Sequence, residues 1–384
     1  MREFSYEEVE AATGGFAAKN LVGKGSHGSV YMARLRYGAG GGGGRRRVKG
    51  VVAIKKASHA QGEAKLANEI AVLAAAGGMD GVVNLVGVVV APAGAGGRKG
   101  ERMLVMEYMA NGSLHDLLHR SPKPPPWPRR VEIALDVAEA VRALHAGEPR
   151  VIHRDVKSAN ILLGRDGRAR LADFSLAVKV PAADDDDDSR APDDAAGPAP
   201  AGTIGYLDPC YTEPGRLGPE SDVFSFGVVL LELVSGRKVM DVNASPSSIV
   251  AWAVPLVAAG MARQVLDGRI AAPRCPKAER AVARVLAVAA RCVSEFVERR
   301  PAMADVVAEL HGALESAGWP RRRRAHGLAG TLYRRVVSWG ASHLHVRRSK
   351  IECTEHSGSE GSCAQPDHPC SNPLASCSNE NILE

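Results

Sequence analysis

"HRDVKSANILL", residues 153–163, is the stretch that decides how the rest of this 384-residue chain is interpreted. Three polar residues, Asp155, Lys157 and Asn160, stand close together and are followed by an apolar run. A tight loop leading into "NILL" can aim a carboxylate, an ammonium group and an amide at one point. Each residue alone could be an ordinary polar group, but their order and spacing together predict a site with chemistry.

The residues that follow predict where a second carboxylate lies. The segment "ILLGRDGRARLAD", residues 161–173, has short apolar runs on both sides of Asp166–Gly167, which is a strong signal for a hairpin turn. Such a hairpin brings Asp173 back beside Asn160. A carboxylate and an amide offer hard oxygen ligands of the kind that Mg²⁺ takes. We therefore predict that Asn160 and Asp173 hold Mg²⁺ or Mn²⁺.

The other polar residues of this region suit phosphoryl transfer. Asp155 would accept or orient the proton of an acceptor hydroxyl, and Lys157 would neutralise the transferring phosphoryl group. Upstream, Lys55 ends the β-rich run "VVAIKKA", and Glu69 lies in the first helical stretch. An ion pair between them would hold the lysine ammonium on the α- and β-phosphates of a nucleotide. Neither residue is persuasive alone, but both fit the same reaction.

A glycine-rich segment, "VGKGSHGSV" at residues 22–30, is the candidate phosphate loop. A lone pattern of this kind is weak, because glycines also make ordinary hairpins. Here a strand-like run follows instead of a helix, which disfavours a dinucleotide fold and suits a loop that closes over phosphates with its backbone N–H groups. The predicted nucleotide contacts of this segment are Val22, Gly23, Lys24, Gly25, Ser26, His27, Gly28, Ser29 and Val30.

The periodicity of apolar residues changes midway along the chain. Residues 20–110 show strand-like runs around a single helical stretch, "AKLANEIAVLAAA", whereas the segments after residue 130 have apolar residues at helical spacing. This pattern predicts an α+β protein with a small sheet-rich lobe followed by a larger helical lobe. A ligand cleft between the two lobes is the default expectation.

Composition excludes several other classes. The formal net charge is +6, but nine basic residues and no acidic ones lie between Ser316 and Ile351, so the basicity belongs to the tail and predicts no nucleic-acid partner. No apolar run reaches the ~18 residues needed to span a bilayer, and "MREFSYEEVE" is not a signal segment. The seven cysteines are irregularly spaced and are expected to be free thiols. We therefore expect a cytoplasmic protein without a transmembrane segment.

Taken together, these motifs and the downstream "GTIGYLDP" and "SDVFSFGVVLLELVSGRK" resemble the eukaryotic protein kinases over residues 20–313. The opening "FSYEEVEAATGGF" and Lys157 are similar to the plant receptor-like, Pelle-type serine/threonine group, in particular its receptor-like cytoplasmic kinases and, within those, the crinkly-related kinase-like proteins. The resemblance implies a two-lobed fold, with a small antiparallel sheet and one helix at residues 20–106 and a helical lobe at 107–313. Residues 1–19 would be an extension and 314–384 a basic, then low-complexity, tail.

The family resemblance also implies ligands and further site residues. ATP with Mg²⁺ or Mn²⁺ would be the cofactors, Ser or Thr side chains of proteins the acceptors, and a receptor kinase a possible partner. Glu107 and Met109 would offer hinge backbone groups to adenine, and Met106 would be the gatekeeper. The ring would be sandwiched by Ala53, Val30 and Leu162, and the catalytic loop braced by Asp222.

Three positions depart from the pattern of the family. His27 replaces an aromatic residue at the tip of the glycine loop, and Ser175 replaces the glycine of Asp-Phe-Gly. Because glycine permits backbone angles that other residues avoid, Ser175 is expected to slow switching of the loop more than to abolish chemistry. Cys210 replaces a glutamate that pairs with an arginine resembling Arg300, which then needs another partner. The alternative is a pseudokinase or weakly active kinase that acts as a nucleotide-binding scaffold.

The roles of two charged segments can each be interpreted in more than one way. The acidic insert at residues 181–201 could imitate a phosphorylated activation segment by pairing with Arg154, with Ser189 and Thr203 as candidate phosphosites, or could be an uncommitted solvated loop. The basic tail could lie on the anionic inner face of the plasma membrane, dock on the kinase domain, or remain disordered.

Overall fold

The N-terminal lobe is built on one mixed sheet. The computed structural model describes residues 2–25, 28–38, 47–90, 102–180, 199–212 and 217–321. The strands of this sheet are β1 (Arg2–Phe4), β2 (Leu21–Lys24), β3 (Gly28–Gly38), β4 (Arg47–Ala57), β5 (Leu85–Val90) and β6 (Arg102–Glu107). Within the described residues they lie in the order β1–β5–β6–β4–β3–β2. The pairs from β5 to β2 are antiparallel, as expected from the sequence.

The first residues of the chain belong to this lobe, although segment 1–19 was expected to be an extension outside it. Strand β1 pairs in parallel with β5, with Phe4 opposite Val89, and adds a parallel edge to the predicted antiparallel sheet. Helix α1 (Tyr6–Thr13) begins at Ser5, whose hydroxyl accepts from the Glu8 amide. Phe4, Tyr6 and Val9 pack in one buried cluster with the sheet. A three-residue strand with a distant partner leaves no periodic signal in the sequence, which explains the difference.

One long helix packs against the sheet and buries a carboxylate on its inner face. Helix α2 (Ala60–Ala75) covers the helical stretch that the sequence predicted, and His59 caps it by accepting from the Gly62 amide. Its buried side chains include Leu66, Glu69 and Leu73. Glu69 is thus the charged member of an otherwise apolar buried face, a placement that requires a partner for its charge.

The C-terminal lobe is helical, as predicted. Its helices are α3 (Leu114–His119), α4 (Trp127–His145), α5 (Pro219–Ser235), α6 (Ile249–Ala258), α7 (Pro276–Cys292) and α8 (Met303–Ser316). Pro126 precedes α4 and Pro128 occupies its first turn, where proline costs no helical hydrogen bond. Helix α5 is buried along almost its whole length and forms the centre of the lobe. The two-lobed α+β architecture expected from the sequence is confirmed.

Four short strands flank the predicted loop and the hairpin that follows it. They are β7 (Arg150–Ile152), β8 (Ile161–Leu163), β9 (Ala169–Leu171) and β10 (Val178–Val180). Strands β8 and β9 form the predicted hairpin, with Ile161 opposite Leu171. Gly167 adopts φ 73° at its turn, a backbone conformation that favours glycine.

Several sequence-based expectations lie outside the described residues. These are the glycine-loop tip at Ser26 and His27, most of the acidic insert with Ser189, and the chain after Arg321. In the part of the chain that the structure describes, no helix has the length and apolarity required to cross a membrane.

Candidate active site

Lys55 is the centre of a charge cluster between the two lobes. Its Nζ donates to Glu69 Oε2 at 2.6 Å and to Asp173 Oδ1 at 2.8 Å. Lys55 lies on β4, Glu69 on α2, and Asp173 follows β9. The Glu69 residue is only 1% exposed. The sheet, the helix and the hairpin are therefore held together by one ammonium group.

Burial and opposite charge compete at each member of this cluster. Burial lowers the pKa of Lys55, but the two carboxylates outweigh it and raise that pKa above its ordinary value. Burial alone would raise the pKa of Asp173. The charge of Lys55 has the larger, opposite effect, and the resulting pKa is about 2. Burial raises the pKa of Glu69 against the opposing effect of Lys55. At neutral pH, Lys55 is a cation and Asp173 an anion.

The predicted catalytic loop, residues 153–160, gathers its polar groups around Asp155. Lys157 Nζ donates to Asp155 Oδ2 at 2.7 Å, and the Thr203 hydroxyl donates to Asp155 Oδ1 at 2.6 Å. Lys157 Nζ also donates to the Thr203 hydroxyl oxygen at 2.7 Å. Asn160 Nδ2 donates to Asp155 Oδ2 at 3.0 Å. A carboxylate, an ammonium, an amide and a hydroxyl thus converge, and a phosphate on Thr203 would place negative charge against Asp155.

Asp222 of α5 holds the backbone of this loop. Its carboxylate accepts from the backbone amides of His153 and Arg154, each at 2.8 Å, and from His145 Nε2 at 3.0 Å. Burial raises the pKa of Asp222, but its hydrogen bonds with His145 and the loop amide prevail and lower it. Arg154 adopts φ 68°, a strained angle for a residue with a Cβ, so the buried carboxylate supports an otherwise unfavourable turn.

The predicted adenine contacts lie in one apolar cluster. Ala53, Met106 and Met109 are buried members of the main core, and Val30 and Leu162 pack against it. Ala53 and Met106 face each other across β4 and β6. Ala53 and Met106 are therefore neighbours in the sheet, and the contacts of Val30, Met109 and Leu162 with an adenine ring stay a prediction from the family resemblance.

The glycines of the candidate phosphate loop differ in whether packing requires them. A Cβ on Gly28 would lie 2.4 Å from the Lys56 carbonyl oxygen, so packing against β4 requires glycine there. A Cβ on Gly23 would meet nothing within 4 Å, and one on Gly25 would only approach the Gly28 carbonyl at 3.8 Å. Packing therefore does not demand glycine at these two positions, and the Gly25 amide donates to the Gly28 carbonyl at 2.9 Å. Val22, Lys24 and Ser29 lie on the same two strands.

Comparison with known proteins decides what this arrangement is. Residues 16–310 match the family of protein tyrosine and serine/threonine kinases. The chain belongs to this family. It is 42% identical over 337 residues to a serine/threonine-protein kinase-like protein of Arabidopsis thaliana, which covers 84% of this chain and 66% of the relative. The chain thus spans just under two thirds of that relative's length.

Two further Arabidopsis relatives extend the comparison. Another serine/threonine-protein kinase-like protein is 41% identical over 328 residues, covering 82% of this kinase and 88% of the relative. A PTI1-like tyrosine-protein kinase is 36% identical over 328 residues, covering 81% and 82%. Since receptor-like kinases also occur among the relatives, the resemblance to the plant receptor-like cytoplasmic kinases is confirmed.

Asn160 and Asp173 suit a divalent cation in this kinase. Asn160 uses its Nδ2 to donate to Asp155, which leaves its amide oxygen as the ligand atom. The Ala172 amide donates to the Asn160 carbonyl at 2.9 Å, which keeps the two candidate ligands side by side. Asp173 is anionic, and its side chain is 36% exposed. These oxygen donors fit Mg²⁺, whose remaining ligands would be phosphate and water oxygens.

The side chain of Glu107 has a role that the sequence did not suggest. Its Oε1 accepts from the backbone amide and Nδ2 of Asn84, both at 2.8 Å, and lies 3.4 Å from Arg170 Nε. Burial raises the pKa of Glu107, and Arg170 opposes that shift. The side chain of Glu107 thus links the segment before β5 to β9. Only the distant contacts with Asn84 and Arg170 reveal this role.

Ser175 is accommodated without backbone strain. The described non-glycine residues with positive φ are Phe16, Arg154 and Asp173, so Ser175 does not occupy the conformation that favours glycine. Its hydroxyl contributes, after Lys55, to the lowered pKa of Asp173. The effect of Ser175 on switching of the Asp-Phe-Ser turn stays a prediction.

Arg300 has found a different partner in this kinase. Its guanidinium bonds both carboxylate oxygens of Asp208, with Nη2 at 2.8 Å from Oδ1, and the Arg300 side chain is fully buried. Cys210 instead directs its thiol to the Glu295 carbonyl at 3.3 Å. Asp208, two residues before Cys210, therefore supplies the negative charge that the missing glutamate would have provided.

A buried polar network joins the catalytic loop to the substrate-side segment that carries Thr203. Glu232 of α5 accepts from the Ser158 hydroxyl at 2.8 Å and from the Tyr206 hydroxyl at 2.7 Å, and His119 Nε2 lies 2.6 Å from it. The Ser158 and Tyr206 hydroxyls are 3.0 Å apart. Burial and Glu232 raise the pKa of Tyr206, so its hydroxyl stays protonated. Tyr206 also donates its amide to the Thr203 carbonyl at 3.0 Å.

Removing the hydroxyl of Tyr206 is expected to impair use of the protein substrate without affecting the nucleotide. The Tyr206→Phe variant leaves Ser158 and Glu232 without one buried partner, at a cost of about 1–3 kcal/mol. We expect kcat/KM for an acceptor protein to fall by about tenfold and KM for ATP to stay unchanged, measured by steady-state phosphorylation. Tyr31→Phe on β3 is the matched control. A fall in ATP affinity alone would contradict this prediction.

Proposed function

We propose that this kinase transfers the γ-phosphoryl group of ATP to Ser or Thr hydroxyls of proteins. The observation that carries the proposal is the contact between Asp155 Oδ1 and the Thr203 hydroxyl at 2.6 Å. A carboxylate that already accepts a hydrogen bond from a hydroxyl at this position is suited to orient the hydroxyl of an acceptor and to receive its proton. The nearness of the Thr203 segment also favours a short Ser or Thr side chain over a tyrosine.

The residues around Asp155 would prepare the acceptor. Lys157, 2.7 Å from Asp155, would place a positive charge beside the group in transfer. Asn160 would fix the Asp155 carboxylate through its Nδ2 while its own oxygen faces the metal. Asp222 would keep the backbone of the loop in place. Acceptor and base are thereby positioned before reaction, which is the main source of catalysis in phosphoryl transfer.

The N-terminal lobe would position the nucleotide. The glycine-rich segment would cover the phosphates, and Lys55, held by Glu69, would contact them with its ammonium. Val30, Ala53 and Leu162 would enclose the adenine ring. Bound Mg²⁺ or Mn²⁺ would supply charge neutralisation on the β- and γ-phosphates.

Phosphate transfer by the purified chain tests this function. Labelled ATP with Mg²⁺ or Mn²⁺ and a generic basic protein substrate should give label on Ser and Thr after acid hydrolysis. The Lys55→Met variant is the control and should lose incorporation. Label on tyrosine alone would overturn the acceptor class. No incorporation despite nucleotide binding would make the chain a nucleotide-binding scaffold.

The wider biological role is also a proposal. The receptor-like names among the relatives support receptor-linked signalling. A receptor kinase would be the partner, and the basic tail would provide a peripheral contact with the membrane. Both expectations concern surfaces outside the site described above.

A further inference from the structure

Four consecutive carbonyl groups after Asp173 are all bound by side chains. Asn68 Nδ2 donates to the carbonyl oxygens of Phe174 at 3.3 Å, Ser175 at 3.3 Å and Ala177 at 2.9 Å. Arg154 Nη1 donates to the Leu176 carbonyl at 3.3 Å. The first donor comes from helix α2 of the N-terminal lobe and the second from the catalytic loop. The turn is therefore held from both lobes.

Asn68 is the immediate neighbour of Glu69 on α2. Glu69 holds Lys55, and Lys55 in turn holds the carboxylate of Asp173. Two adjacent residues of one helix thus hold the segment around Asp173. Glu69 holds the Asp173 side chain through Lys55, and Asn68 binds the backbone that follows Asp173. A movement of α2 would displace both at once.

The chemistry of Asn68 fits this position. Its Nδ2 carries two protons and no charge, so it can serve these three carbonyls, with one proton shared between two of them, without a buried ion. Asparagine is also a poor residue for a helix interior compared with alanine. Its side chain is therefore not explained by the stability of α2 itself, and the three carbonyl contacts are the interactions that it contributes.

We propose that Asn68 is a positioning residue that couples the placement of α2 to the placement of Asp173. The turn is thereby held by side chains at a position where the family has a flexible glycine. The consequence for catalysis rests on the proposed function, whereas the conformational coupling does not.

Hydrogen exchange of the full chain tests the coupling without any catalysis. Asn68→Ala removes the donor and improves the helix propensity of α2, so the helix itself should not weaken. We expect the amides of residues 174–177 to exchange about tenfold faster, as loss of a net hydrogen bond of about 1.4 kcal/mol implies. Asn68→Asp should have at least the same effect, because its carboxylate faces three carbonyl oxygens. Ala64→Asn, at an exposed position of the same helix, is the matched control.

Kinetics separate positioning from a merely structural role. For Asn68→Ala, we expect kcat to fall by about tenfold in the same variant in which local exchange becomes faster. KM for the acceptor protein and the melting temperature should stay close to wild type. Unchanged exchange, faster exchange throughout the domain with a lower melting temperature, or faster local exchange with an unchanged kcat would each overturn the proposal. Faster local exchange in a chain without phosphotransfer would uphold the coupling and reject the proposed function instead.

Discussion

Asp155→Asn is expected to lower phosphate transfer by roughly 10²–10⁴-fold, the range typical of losing a positioned acid or base. The substituted amide keeps the size of the side chain but cannot take the proton of an acceptor hydroxyl. Nucleotide affinity should remain near wild type, because Asp155 contacts Lys157, Asn160 and Thr203 rather than the Lys55 cluster. The measurement is the initial rate of transfer from labelled ATP, with nucleotide binding determined by calorimetry on the same samples.

The control for this experiment removes a carboxylate elsewhere. Asp305→Asn changes an exposed residue in the first turn of α8 and should leave the rate within about twofold, since isolated surface substitutions are usually small in effect. A rate for Asp155→Asn within tenfold of wild type would show that another group serves the acceptor hydroxyl. Loss of nucleotide binding in the same variant would instead show damage to the cleft.

The catalytic loop was predictable because its geometry is local. The Asp166–Gly167 turn and the two short apolar runs are enough to place Asp173 beside Asn160, and β8 and β9 form that hairpin. Lys55 and Glu69 were predicted to pair from their places on a strand and on the following helix. Each of these inferences uses residues that are close in sequence or lie on one periodic element.

The contacts that the sequence did not predict join residues far apart in the chain. Strand β1 has only three residues, and its pairing with β5 follows from packing of Phe4 and its neighbours on the sheet. Likewise, the Asn68 contacts depend on how α2 meets the turn after Asp173. No periodicity marks a single polar side chain with a distant backbone partner.

At Cys210 the sequence predicted the loss of an interaction that the structure supplies through another residue. The sequence pattern indicated that Arg300 had lost its glutamate, and the structure places Asp208 against both outer nitrogens of the guanidinium. The Arg300 guanidinium also donates Nε to the Ser294 carbonyl at 2.9 Å and Nη1 to the Glu220 carbonyl at 3.1 Å. A missing residue type therefore did not mean a missing interaction.

Asp208→Asn is expected to destabilise the kinase by about 3–5 kcal/mol, because it leaves the buried Arg300 charge uncompensated. The Arg300 side chain has 0% exposure and the Asp208 side chain 3%, so water cannot replace the lost carboxylate. The Asp208 amide variant keeps one acceptor oxygen, yet it cannot neutralise a guanidinium. Urea unfolding at neutral pH measures the difference as a lower midpoint with an unchanged slope.

Cys210→Ser is the matched control for the Asp208 prediction. Its side chain is half-buried and makes one contact, with the Glu295 carbonyl, which a serine hydroxyl can also make. We expect a change below about 1 kcal/mol, as for most substitutions that keep a hydrogen-bond donor. If Cys210→Ser were as damaging as Asp208→Asn, the thiol would be essential to this segment. If Asp208→Asn cost less than about 1 kcal/mol, the buried ion pair would not have replaced the missing glutamate.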